Sequence, residues 1–204
     1  KGRANANQLL ARALYNLKDK YNFRLASFKG GNLRNAIARE ATALIGIAQD
    51  MLPEMEKDIA TLRDTFAAEY KHTEPNLELI AEKAGKPEWA FGEKNRDELI
   101  YALMSCPHGV LRMSDEIPDF VETSTNLAAV KSEDGDVLIT TSQRSSVESA
   151  KLWAAQRVAS CFKAIGAKTE HSEGYPGWNP NADSPILKLV LDTFKDLFHE
   201  EGKA

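Results

Sequence analysis

Cysteine is scarce in this chain. Cys106 and Cys161 are the only two, far apart and without the spacing of a metal or redox motif. That excludes a disulfide scaffold and fits a reducing cytoplasm, where a buried thiol behaves as a small apolar group. Long apolar runs are missing, so no membrane span is expected, and neither is a secretory signal. No block of basic residues occurs, and the net charge is −4, which argues against nucleic acid or an anionic membrane as partner. Catalytic spacing is absent too. The four histidines, His72, His108, His171 and His199, have no ligand-spaced His, Cys or carboxylate neighbours of the zinc type. Gly30-Gly31 opens no dinucleotide fingerprint, and there is no phosphate-binding loop. The acidic run at Glu133–Asp136 lacks calcium-loop spacing. His108 stands close to Cys106, but Pro107 separates them and no third orienting group follows, so a loop role is read there. No catalytic residue and no metal ligand is assigned.

What is present is a chain of 204 residues, 43% of them hydrophobic, enough for one large domain or two small ones. The organising stretch is Val121–Ser146. Val121, Thr123, Thr125, Leu127 and Ala129 alternate with Glu122, Ser124, Asn126 and Ala128, as in a two-faced strand. Asp134-Gly135 is a hairpin dipeptide, and Val137–Thr141 is the return strand. Arg144 then falls in a short loop before a helix, beside Asn126 on the same hairpin. An arginine held there suits a bidentate grip on a carboxylate, while spacing alone favours a surface charge paired with a nearby Glu.

Upstream, the periodicity predicts a helix over Ala4–Lys20 with Asn5 and Asn7 in its first turn, where asparagine satisfies free amides. A strand follows at Phe23–Phe28 and a central one at Ala41–Ala48. Next come a helix from Pro53 to about Lys71, a short strand at Asn76–Lys83 and a loop over Ala84–Glu93. The second half repeats this order, with a helix at Asp97–Ser105 and then the hairpin. Ser145 and Glu148 read as a capping box for a helix that buries Leu152, Ala155, Val158, Ala159 and Phe162, stops at Gly166 and leads to a strand at Ala167–Ser172. The expected fold class is α+β: an antiparallel β-sheet with helices packed on one face, in two ferredoxin-like αββαβ units. Residues 1–83 would form the first unit, its first strand lying upstream, and 84–174 the second. Residues 175–204 would be a connector, Tyr175 to Pro180, and a final helix capped by Ser184-Pro185, whose apolar face has no partner left. The missing strand and the absence of an initiator Met read as a cut piece of a longer chain.

Several blocks together carry a family resemblance: Gly2–Arg12 (GRANANQLLAR), Gly30–Glu40 (GGNLRNAIARE), Val121–Ala128 (VETSTNLA) and Arg144–Ser146 (RSS). To these are added GAKTE from Gly166, YPGWNP from Tyr175 and SPILKLV from Ser184. In this order the chain resembles the aminoacyl-histidine dipeptidases (Xaa-His or cytosol non-specific dipeptidases), cytoplasmic two-zinc metallopeptidases related to carnosinases. The resemblance implies a lid, or dimerisation, domain inserted between two parts of a catalytic domain. It implies zinc in the full-length parent and none held by this segment, which by itself would be inactive. Its partners would be a dipeptide substrate, the parent's own catalytic domain and a second copy in a homodimer. By the same resemblance Asn5 looks like a lid asparagine near the substrate, Arg144 like the arginine that grips the substrate carboxylate, and Asn126 like a weaker third candidate. One departure is Ala38, where the family usually has proline. The competing readings are a free-standing ferredoxin-like module that binds a small ligand and a dimerisation domain in which Arg144 has no ligand role.

Overall fold

In the computed structural model, which describes residues 2–133, 135–177, 181 and 183–202, the longest strand is the scaffold. β4 (Val121–Glu133) forms with β5 (Asp136–Ser145) the expected hairpin, and Gly135 sits at φ +88° in its turn. Asp134, the other half of the expected turn dipeptide, lies outside the described residues. β5 pairs antiparallel along almost all of β4, from Thr123 opposite Ser145 to Glu133 opposite Asp136. The other edge of β4 is shared. β3 (Gly109–Met113) pairs with its beginning, Gly109 opposite Thr125, while β1 (Arg24–Gly30) pairs nearer its end, Gly30 opposite Val130. β2 (Ala41–Gly46) continues outward from β1, and every pairing in this five-stranded sheet is antiparallel.

Two unlike faces follow from the period of two. Thr123, Thr125, Leu127, Val130 and Ser132 of β4 are buried on one face, whereas Lys131 and Glu133 on the other are exposed. The register slips between Leu127 and Ala129, so a bulge at Ala128 keeps the buried set on one side across the slip. Against that face lie α1 (Ala6–Tyr21), α3 (Glu93–Ser105) and α4 (Glu148–Lys163), while α2 (Leu52–Glu69) flanks α1. Their apolar stripes meet the sheet in one cluster that includes Leu14, Leu17, Phe23, Phe28, Ile100, Leu103, Leu127 and Phe162. Burying each such side chain contributes about 1.5–3 kcal/mol. α1 ends at Asn22, left-handed at φ 39°, with Lys18 and Lys20 in its last turn where cations suit the helix dipole.

Strands from both halves of the chain join one sheet, and the two ferredoxin-like units are not shown. Neither expected third strand pairs: residues 76–83 and 167–172 take part in no ladder. Their alternation is real, with Leu77 and Leu79 turned partly inward, but alternation makes a strand only where a free edge lies in register. The strand that does pair, β3, is hidden in the sequence behind Cys106-Pro107-His108. The capping box also differs: α4 starts at Glu148, and Ser145 Oγ instead accepts from Val147 N at 3.0 Å and bonds Thr123 Oγ1 across the hairpin at 2.8 Å. α4 buries Ala154, Val158, Ala159 and Phe162, but Leu152 is exposed because the helix presents Ala154 to the sheet. Of the expected connector, Tyr175 and Gly177 run beside α4 and the end of β5, and residues 178–180 lie outside the described residues. α5 (Pro185–Phe198) begins after Ser184 as expected and buries none of its residues, leaving Ile186, Leu189, Leu197 and Phe198 all more than 60% exposed. Among the described residues no helix is long and apolar enough to cross a membrane.

Gly31 shows how tightly the loop after β1 sits on β4. It has φ +67°, and a Cβ there would lie 2.0 Å from the Ala128 carbonyl oxygen. Gly31→Ala therefore combines left-handed strain with a clash against backbone, and a loss of more than about 2 kcal/mol is expected. The measurement is the urea midpoint; an unchanged midpoint would mean that this loop does not press on the bulge.

Candidate functional site

Between Thr125, the last partner of β3, and Val130, the first partner of β1, the edge of β4 has no strand beside it. Its backbone groups still need partners, since a buried amide or carbonyl left unpaired is costly. Side chains supply them. Leu127 O accepts from Asn5 Nδ2 at 2.9 Å and from Asn7 Nδ2 at 3.4 Å. Leu127 N donates to His108 Nδ1 at 3.2 Å, and Asn5 Nδ2 lies 3.3 Å from the same nitrogen. The backbone of Gly31 closes the gap at Ala128.

Asn5 is held from both ends. It is the N-cap of α1, where its Oδ1 accepts from Asn7 N at 2.9 Å and Gln8 N at 3.4 Å. Two acceptances and two donations fill its amide, and it is 3% exposed. It thus joins the start of α1 to the β4 edge and has no valence left over. Since Leu127 N can only donate, His108 Nδ1 is an acceptor and the ring is neutral, with its proton on Nε2. Burial also pushes the His108 pKa down. The neighbouring Cys106 thiol is driven up to about 12, first by burial and then by the proximity of Cys161, so it stays protonated. A Cys106–His108 nucleophile pair is thereby ruled out by the chemistry of both groups.

Asn126 and Arg144 lie on the open face of the hairpin. Arg144 is in β5, opposite Ser124, rather than in a loop, and Asn126 is opposite Ser142, one step along on the same face. Arg144 is exposed, and among the described residues no carboxylate pairs with it, contrary to the surface-pair reading. Asn126 Nδ2 donates to Ala36 O at 2.7 Å, whereas its Oδ1 is buried without a partner. Ala36 belongs to the β1–β2 loop. That loop is pinned by Ala6 N to Ala38 O at 2.9 Å and by Arg39, whose guanidinium makes two 2.6 Å bonds to Glu74 and holds that carboxyl below its usual range. Ala38, the departure from the family pattern, is buried in this loop. Hence Asn5 and Asn126 flank Leu127 from opposite sides, and Arg144 shares only the Asn126 face.

His108, Asn7 and Gly31 are the members of this cluster that the sequence did not announce; each acts on β4 from a distant segment. Among the described residues no group of three or more His, Cys, Asp or Glu could hold a metal ion.

Residues 1–74 match the peptidase dimerisation domain family. Over 199 residues it is 38% identical to the cytosol non-specific dipeptidase of Escherichia coli (strain K12), the match taking in 98% of this chain and 41% of that protein. The fold superposes on the crystal structure of aminoacylhistidine dipeptidase from Vibrio alginolyticus with a TM-score of 0.92 at 31% identity, covering 98% of this chain and 41% of that one. Over nearly its whole length the chain is homologous to these dipeptidases, and it spans about 41% of their length.

Asn5→Ala removes the helix cap and a bond to Leu127 O together. It is expected to cost about 1–3 kcal/mol, read in a chemical denaturation curve. Loss of only a few tenths would mean that water replaces the amide without penalty.

Proposed function

We propose that this domain is the lid of a zinc-dependent dipeptidase that hydrolyses Xaa-His and other dipeptides, and that it binds the substrate rather than cleaving it. The observation that carries this reading is the unpaired Arg144 on the open face, beside Asn126, in a chain homologous to dipeptidases almost from end to end. A guanidinium accepts no proton and offers a planar fork, the geometry that a terminal carboxylate takes best. Its position inside a paired strand fixes its backbone, as a positioning residue requires. Asn126 would back the arginine from the same face, its Nδ2 tied to Ala36 O and its Oδ1 buried. Asn5, with its amide fully used, would act through Leu127 and not by touch.

The zinc ions of such an enzyme do not fit the residues here, so their ligands would come from another part of the protein and no step is routed through them. In this reading residues 175–204 lead back to that catalytic part, and lid closure brings Arg144 over the scissile bond. The dimerisation domain also supports a homodimer in the cytoplasm, with β2 and β5 as the outer strands whose edges offer pairing surfaces.

In the intact enzyme Arg144→Ala should leave folding and zinc content unchanged and lower kcat/KM roughly a hundredfold, a loss of about 3 kcal/mol. Dipeptides with an amidated C-terminus, which lack the charge, should lose far less. Equal losses for free and amidated substrates, or none for either, would return Arg144 to the role of a surface charge.

A further inference from the structure

We propose that His108 is the positioning residue of this site: as a neutral imidazole it clasps Asn5 and the Leu127 edge of β4, and so sets the orientation of Asn126. This rests on the dipeptide reading above. One ring nitrogen serves two donors, Leu127 N at 3.2 Å and Asn5 Nδ2 at 3.3 Å. No other side chain among the described residues bonds Leu127 N, and β3 has already ended its pairing at Thr125. Asn126 is the next residue along, and Ala128, on the other side, is the bulge. Releasing Leu127 N therefore loosens the peptide that carries Asn126, and releasing Asn5 Nδ2 loosens the cap of α1 at the same moment.

Protonation does both. A proton on Nδ1 turns the shared acceptor into a third donor facing the other two. The groups around the ring offer an imidazolium nothing in return. α1 brings Asn5 and Gln8, the latter bonded to Cys106 O at 3.3 Å, and β4 brings Leu127; all are uncharged. The titratable neighbour on its own segment is Cys106, whose thiol is pushed up to about 12 and stays neutral. Burial alone accounts for the downward shift of His108. The folded state thus resists the proton that the unfolded chain accepts near pH 6.5. The clasp's contribution to stability is complete above that pH and diminishes below it as the unfolded chain takes up the proton, and the clasp itself opens only as pH falls through the lower folded value.

The test compares the wild-type protein with His108→Asn and His108→Ala. Asparagine places an oxygen acceptor close to the Nδ1 position and does not titrate; alanine removes the acceptor at every pH. Nitrogen-detected NMR should find His108 with its proton on Nε2 at pH 7. Between pH 7 and pH 5 the wild-type Tm should fall by about 2–4 °C more than that of His108→Asn. KM for a free dipeptide should rise severalfold in the wild type over the pH range in which NMR shows the folded ring taking up its proton and stay level there in His108→Asn, and His108→Ala should show the raised KM at pH 7 as well. A proton on Nδ1 at pH 7, or identical pH courses for wild type and His108→Asn, would overturn the clasp. If His108→Ala leaves KM alone while Arg144→Ala raises it, the dipeptide reading stands and the positioning role is wrong. If neither substitution affects dipeptide kinetics, the substrate reading fails and takes this proposal with it.

Discussion

The backbone of Leu127 is the point on which the rest of this structure depends. β4 is longer than either strand available to its outer edge, so β3 and β1 share that edge end to end and leave a gap. A gap inside a sheet exposes donors and acceptors that neither water nor a strand can reach, and the chain must satisfy them or lose the sheet. Two segments converge to do so, the N-terminus of α1 through Asn5 and Asn7 and the turn before β3 through His108, while the loop after β1 packs closely against the Ala128 carbonyl at Gly31. The placement of α1 over the sheet, the start of β3 and the path of the β1–β2 loop all follow from that repair.

The same repair sorts the molecule into two sides. On the helix side, apolar stripes and capping bonds are closely fitted, and Asn5 is buried with every valence used. On the open side, the bulge brings Asn126 up against Ala36 with one oxygen unpaired, and Arg144 stands exposed on the neighbouring strand. Among the described residues, Asn7 Oδ1 in α1 and Asn126 Oδ1 in β4 are buried without a hydrogen-bond partner, one on each side of the sheet. The Arg39–Glu74 pair and the Ala6–Ala38 bond hold the loop that backs Asn126, so the open face is supported from behind.

α5 is the counterpart in apolar terms. Its sequence has the strongest helical stripe of the chain's tail, with Phe194 and Phe198 stacked 4.8 Å apart, yet it buries no residue. A helix earns most of its stability from tertiary contact, which makes this one the element least supported by the described residues.

Sequence alone determined the elements with strong local signals. The β4–β5 hairpin was legible because alternation and a glycine turn act within a few residues, and α1, α4 and α5 because caps, stripes and stops do the same. The family resemblance, too, rests on local blocks, and it marked Asn5, Asn126 and Arg144 without saying how they lie. Tertiary structure decided which extended segments became strands. Leu77–Leu79 and Ala167–Ser172 had the pattern but no edge in register, whereas Gly109–Met113 had a weak pattern and found one. It also decided that Asn5 would be used up on the backbone while Asn126 Oδ1 would be buried without a partner. His108 was unreadable for the same reason. Its role is set by a backbone amide in another strand, and a long-range hydrogen bond to backbone leaves no spacing in the sequence to betray it.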